Sequence, residues 1–219
     1  MSQRRGNVFF VCKHTLSFHL RRLRHSLQGV ANPLACALAC DGQTEPEELE
    51  YLTQLAAAVP TGECIVEIGS FRGRSTVAMA LAAQARNVEV VAIDCYVAMG
   101  NASAESAMLS KSIFFLNLIN SSAYRNTQCV NLTAAAAAAA FRERRVGLLF
   151  IDGDHSYESV RTDFEAWIGT VTRGGVIAFH DSVNAHWGST RFVAELATRT
   201  TILQKLKIVG SITAFAKIG

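Results

Sequence analysis

The chain has 219 residues, half of them hydrophobic, with three prolines and a formal net charge of +3. That much apolar material supports one substantial core, and 21 basic against 18 acidic residues is far from the balance of a dedicated nucleic-acid binder. Six cysteines (12, 36, 40, 64, 95 and 129) make no CxxC pair and lack the density of a secreted disulfide scaffold; reduced thiols in a cytoplasmic protein, without a zinc site, are expected.

The basic excess sits largely near the N-terminus, in Arg4, Arg5, Lys13, Arg21, Arg22 and Arg24. The apolar run Val8 to Cys12 is stopped by Lys13 and His14 before it reaches signal-peptide length, and VANPLACALAC (30–40) is too short to span a bilayer. No membrane or nucleic-acid partner is expected. Residues 15–28, with His19, Leu20, Leu23 and Leu27 among arginines, predict a basic amphipathic helix with a solvated face, so residues 1–40 read as an N-terminal helical extension. In Asp41-Gly-Gln-Thr-Glu-Pro-Glu-Glu48, Thr44 is the expected N-cap of a helix running to about Ala58, ended by Pro60-Thr-Gly62.

From Cys64 onward, short apolar runs alternate with helical stretches. Strands are expected at 64–68, 88–93, 127–130, 147–151, 175–180, 202–209 and 212–217, and helices at 74–85, 104–121, 133–143, 157–169 and 188–198. This is the pattern of an α/β protein with a mostly parallel seven-stranded sheet covered on both faces, whose ligands bind at the carboxyl ends of the strands. The seven alanines 134–140 carry helix propensity and no chemical information.

The stretch IVEIGSFRGRST (65–76) runs from a strand through Gly69 and Gly73 into a helix. It lacks the third glycine of GxGxxG, and Glu67 would repel a pyrophosphate. Asp94 ends the next strand, where an acid accepts both hydroxyls of a ribose. An anionic rim around a nucleoside without phosphates suits S-adenosylmethionine, whose sulfonium and ammonium groups are positive.

IVEIGSFRGRST followed by VVAIDCY resembles the first two motifs of class I S-adenosylmethionine-dependent methyltransferases, and the likeness extends from about Asp41 to the C-terminus, making 41–219 the expected catalytic domain. LLFIDGDHSYESVRTDFEAW with RGGVIAFHDSV resembles the branch that holds sugar and antibiotic-tailoring O-methyltransferases and, more distantly, catechol O-methyltransferase. The resemblance implies a Rossmann-like fold, with Glu67, Gly69, Ser70, Gly73 and Ser75 around the methionine end of the cofactor and Asp94 on the ribose. Asn131 is a candidate for the adenine pocket, with a surface-loop role equally open. In metal-assisted relatives, positions matching Asp152 and the pair His180-Asp181 hold a divalent cation such as magnesium or manganese, and a base stands three residues after the first acid, here His155.

The chemistry requires such groups. An alcohol is protonated at neutral pH, so its methylation needs a general base within reach or a metal that acidifies it. His155 answers the first need. His180 departs from the oxygen ligands of several relatives, which leaves two arrangements open: a metal held by Asp152, His180 and Asp181, or His180 as the base with no metal. Asp154 reads as a cap for the helix beginning near Ser156. Met99, Met108 and Phe114 are candidates for an apolar wall and Trp187 for the acceptor's border, although each also suits plain packing. The expected activity is O-methylation of a small hydroxylated molecule, with a homo-oligomer left open. An NAD-dependent oxidoreductase and a non-catalytic nucleoside-binding module are the alternatives.

Overall fold

A computed structural model of the chain describes residues 32–97, 103–199 and 201–219. The basic helix expected over 15–28, the run Val8 to Cys12 and Met99 lie outside the described residues. Seven of the apolar runs form one sheet: β1 (Cys64–Ile68), β2 (Glu89–Ile93), β3 (Thr127–Val130), β4 (Val146–Ile151), β5 (Val171–Phe179), β6 (Leu203–Val209) and β7 (Ile212–Lys217). Their order is 3-2-1-4-5-7-6; the first five run parallel, and β7 pairs antiparallel with both β5 and β6. The order reverses between β1 and β4, which opens a crevice at their carboxyl ends.

The helices in chain order are α1 (Pro33–Leu38), α2 (Pro46–Ala58), α3 (Arg74–Ala83), α4 (Ala104–Ser121), α5 (Ala134–Ala140), α6 (Tyr157–Trp167) and α7 (Gly188–Arg199). Side-chain alternation along the strands decides which layer each residue joins. Cys64, Val66 and Ile68 of β1 share a core with Leu149 and Ile151 of β4, Ile177 and Phe179 of β5, and apolar residues of α5, α6 and α7. The residues between them face the opposite layer, where α1 and α2 pack on α3. Glu67 belongs to this second set, and so do Phe150 and, just past β5, His180.

Several boundaries differ by a residue or two from the sequence-based expectation, and three differences have a plain physical cause. The N-cap of α2 is Glu45, not Thr44: Glu45 and Glu48 form a reciprocal capping box, and Thr44 instead lends its carbonyl to Arg74. The alanine helix stops at Ala140, before the exposed Arg142, Glu143 and Arg144. Strand β5 begins four residues earlier than expected, because Val171 pairs with Val146 ahead of an irregularity at the Gly174-Gly175 step. Among the described residues, no helix is long and apolar enough to cross a membrane.

Candidate active site

The strand register brings the candidate residues together. Ile68 pairs with Ile93 and Ile151, and Ile151 with Phe179. The ladder continues one step past each strand: Gly69 N donates to Ile93 O, Asp152 N to Ile68 O and His180 N to Ile151 O. Gly69, Asp94, Asp152 and His180 therefore stand in one row along the carboxyl edge of the sheet. In front of that row lies a cleft of about 580 Å³, a size typical of small-molecule sites, lined by Gly69, Ser70, Gly73, Ser75, Asp94, Asp152 and His155 among others.

The loop after β1 is built to bend sharply. Gly69 has φ +86°, and a Cβ there would overlap the carbonyl oxygen of Asp152, so glycine is demanded by the neighbouring loop as well as by the turn. Asp94 holds the loop from the side: Oδ2 accepts from Phe71 N at 2.9 Å and Oδ1 from Tyr96 N at 2.7 Å. Each carboxylate oxygen keeps a free lone pair for a ligand hydroxyl. Arg74, in the first turn of α3, donates to the carbonyls of Cys40 and Thr44, and Arg72 pairs with Asp41, which ties the loop to the segment before α2.

Two expected cofactor contacts sit elsewhere. Glu67 does not reach the cleft; it is fully buried, and its two oxygens accept from Ser75 Oγ at 2.6 Å and from Thr76 Oγ1. Burial pushes its carboxyl up to about 7, against the pull of those hydroxyls. Ser75 thus uses its hydroxyl inward while its residue borders the cleft. Asn131 braces the strand ends instead of lining the cleft: its Nδ2 donates to Asp94 O and Cys95 O, both at 3.0 Å, and its Oδ1 accepts from Lys111. The wall beyond Asp94 is made by Leu132, Thr133, Ala134 and Ala135, which the sequence reading passed over because their type is silent. By contrast Ser70, 3 % exposed, borders the cleft, with its hydroxyl near the Glu67 carboxylate, whose charged form it favours.

On the β4–β5 side the polar residues form one cluster. His180 Nδ1 lies 2.9 Å from Asp152 Oδ1 and 3.5 Å from Asp181 Oδ2, and His155 Nε2 lies 3.4 Å from Asp181 Oδ2. The Asp152 contact is an ion-pair distance and not a directed hydrogen bond. His180 Nε2 faces Glu48 Oε2 at 3.1 Å. Burial disfavours charge on His180, but Asp152 and Glu48 outweigh it and hold the imidazole up at about 10. Burial likewise raises Asp152, opposed by His180. Glu48 is the member of this cluster that the sequence does not announce, although the E-x-x-E spacing with Glu45 is a signal for a capping box.

His155 borders the cleft, with the Trp187 ring 5.0 Å from its own and the N–H of Ser189, in α7, donating to its carbonyl. Trp187 is 42 % exposed and is not among the residues that line the cleft. The N-cap of α6 is Ser156 and not Asp154, which braces the turn ahead of it: Oδ1 accepts from Ser156 N and Oδ2 from Ser159 Oγ. Met108 and Phe114 do not form a wall, since Met108 faces solvent and Phe114 is core packed against Gly73. Among the described residues, no three His, Cys, Asp or Glu side chains are arranged as a ligand shell for a metal ion.

Comparison with known proteins bears on this site. A family model described as a methyltransferase domain matches residues 66–182, more than half of the chain. The uncharacterized protein y4gI of Sinorhizobium fredii is 30 % identical over 138 residues, which cover 61 % of this chain and 15 % of the relative, so the chain spans a small part of that protein's length. Among solved structures, the O-methyltransferase TomG of Streptomyces achromogenes, involved in tomaymycin synthesis and in complex with SAM, matches with TM-score 0.65 and 16 % identity over 92 % of this chain and 96 % of its own. The cofactor-bound Rv0187 from MTB matches with TM-score 0.64 and 19 % identity over 89 % of this chain and 94 % of its own. At such identities the likeness is one of fold, and that fold is the seven-stranded sheet expected from the strand pattern in the Rossmann-like form that the motif resemblance implied.

Proposed function

Because the chain belongs to the methyltransferase-domain family, we propose that it moves the methyl group of S-adenosylmethionine to a hydroxyl oxygen of a small molecule, with His155 as general base. One observation carries this reading: the same cleft is lined by the Gly69–Ser75 loop and Asp94 on one side and by Asp152 and His155 on the other. Ser70 borders the cleft at the expected methionine end, and the free lone pairs of Asp94 suit the two ribose hydroxyls. Gly69, Gly73 and Ser75 supply the turn that carries these groups. Glu67 acts from beneath, holding the first turn of α3 through Ser75 and Thr76.

The reaction is one displacement. The acceptor oxygen attacks the methyl carbon in line, the carbon–sulfur bond breaks as the carbon–oxygen bond forms, and S-adenosylhomocysteine leaves with the bonding pair on sulfur. The acceptor proton passes to His155. Asp181, facing Nε2, fixes the ring so that Nδ1 keeps its lone pair for that proton and steadies the imidazolium that results.

A second reading concerns a divalent ion, and one observation favours it: His180 Nδ1 is buried without a directed hydrogen bond while Nε2 is turned to a carboxylate, as ligating imidazoles are held. Asp152, Asp181 and His180 are not arranged as a ligand shell here and would hold the ion only once His180 gives up the proton facing Asp152 and the three side chains turn together; when bound, the ion would supply acidification of the acceptor hydroxyl. The free thiols of Cys36, Cys64, Cys95 and Cys129 suit a reducing, cytoplasmic setting.

Calorimetry with S-adenosylmethionine, S-adenosylhomocysteine and NAD, followed by methyl uptake across sugars, catechols and polyketide glycosides, tests the proposal. Binding of the first two and methylation of a hydroxyl support it; binding of NAD alone defeats it. Turnover lost on chelation and restored by manganese supports the ion, and turnover indifferent to chelation removes it.

A further inference from the structure

We infer that Glu48 is a positioning residue for this reaction: its carboxylate fixes which nitrogen of His180 is turned toward Asp152 and Asp181. The inference rests on the methyltransferase reading for its effect on turnover, but the geometry stands by itself. Glu48 lies in the first turn of α2, outside the 66–182 match, 2 % exposed and absent from the cleft wall. Its acceptors are used by three different parts of the chain. Ser211 N donates to Oε1 at 2.7 Å, Glu45 N to Oε2 at 2.9 Å, and His180 Nε2 faces Oε2 at 3.1 Å.

A helix cap alone does not explain this arrangement. The capping box needs only the Glu45 contact and works at the protein surface, whereas taking a carboxylate out of water is costly unless several donors repay it. The turn between β6 and β7 is shaped to admit the carboxylate: Gly210 sits at φ +55°, and a Cβ there would come within 2.6 Å of Glu48 Oε1. The result is a ring gripped from behind. With Nε2–H committed to Glu48, Nδ1 is the nitrogen that meets Asp152 and Asp181, and Asp181 is the group that faces His155. Loss of the grip frees the ring to turn and lets both acids drift from the reacting hydroxyl.

The test compares Glu48→Gln and Glu48→Ala with Glu45→Ala, which strips the cap from α2 without touching His180. Expected for Glu48→Gln is a fall in kcat of about 10- to 100-fold with the dissociation constant for S-adenosylmethionine held within about twofold. The ring-nitrogen resonances of His180 should move in the same variant. Glu45→Ala should lower the melting temperature while keeping kcat and those resonances. The Gln variant preserves volume and serves where Ala fails to fold. Equal kcat losses in Glu48→Gln and Glu45→Ala, or full turnover in Glu48→Gln, overturn the inference. Should the wild-type chain transfer no methyl group at all, the functional reading falls, and the His180 resonances still judge Glu48: unchanged signals in Glu48→Gln overturn the grip, and shifted ones sustain it.

Discussion

His155 Nε2 stands 3.4 Å from Asp181 Oδ2, and the two residues come from consecutive parallel strand ends, one loop after β4 and one after β5. The pairing turns the imidazole without consuming its other nitrogen. His155→Ala should therefore cost about 10²- to 10⁴-fold in turnover while leaving affinity for S-adenosylmethionine intact. Asp181→Asn should cost less, because the ring remains in place but loses its counter-charge. Methyl-transfer rates beside calorimetric affinities check both, and undiminished turnover in His155→Ala rejects the base.

Asp94 carries two backbone N–H groups as well as the proposed ribose contact. Asp94→Ala should weaken S-adenosylmethionine by about 1–3 kcal/mol and loosen the Phe71 turn as well. Asp94→Asn, which must point an amide N–H at one of those backbone donors, should be no better. Wild-type affinity in both variants, measured by titration calorimetry, removes Asp94 from the pocket.

Gly69→Ala tests the coupling between the two halves of the cleft. The added methyl meets the carbonyl of Asp152 in a backbone that L-residues avoid, so the β4 loop must yield. A loss of about 2–4 kcal/mol in urea unfolding is expected. Activity should fall further than folded fraction does, because Asp152 and His155 move with that loop. A stability change within experimental error contradicts the packing.

Glu67 predicts a pH dependence of stability. Burial raises its carboxyl to about 7 from the usual 4.5, so the folded chain holds this proton more tightly than the unfolded chain. Its contribution is complete below pH 4.5 and is lost as pH rises through 7, a decline of about 3 kcal/mol. Glu67→Gln should flatten the stability curve over that window, as read from denaturant melts at a series of pH values. An unchanged slope assigns the dependence to another group.

Side-chain type and its periodicity are what a sequence reports directly. Strands rich in Val, Ile and Leu and the helix Ala104–Ser121 were legible because a continuous apolar run or a strong cap marks them, and the polar residues just past strand ends, Asp94, Asp152 and His180, were legible because register places them in one row. What it does not report is layer and direction. Glu67 looked like a cleft residue because it precedes the turn, yet alternation sends it to the face of α3. Asn131 was open to an adenine contact and a surface-loop role alike, and two carbonyls just past β2 satisfy its amide. Glu48 was hidden because nothing local in a capping box announces a histidine 132 positions away.

The bracket around His180 also says where the chain can be divided. Its donors and acceptors at 48 and 211 flank the recognisable signature on both sides, so excising 66–182 would keep every motif and strip the mechanical frame from one of them. Two sequences could then agree throughout that window and differ in competence, because the scaffolding that tensions the histidine is encoded in the margins.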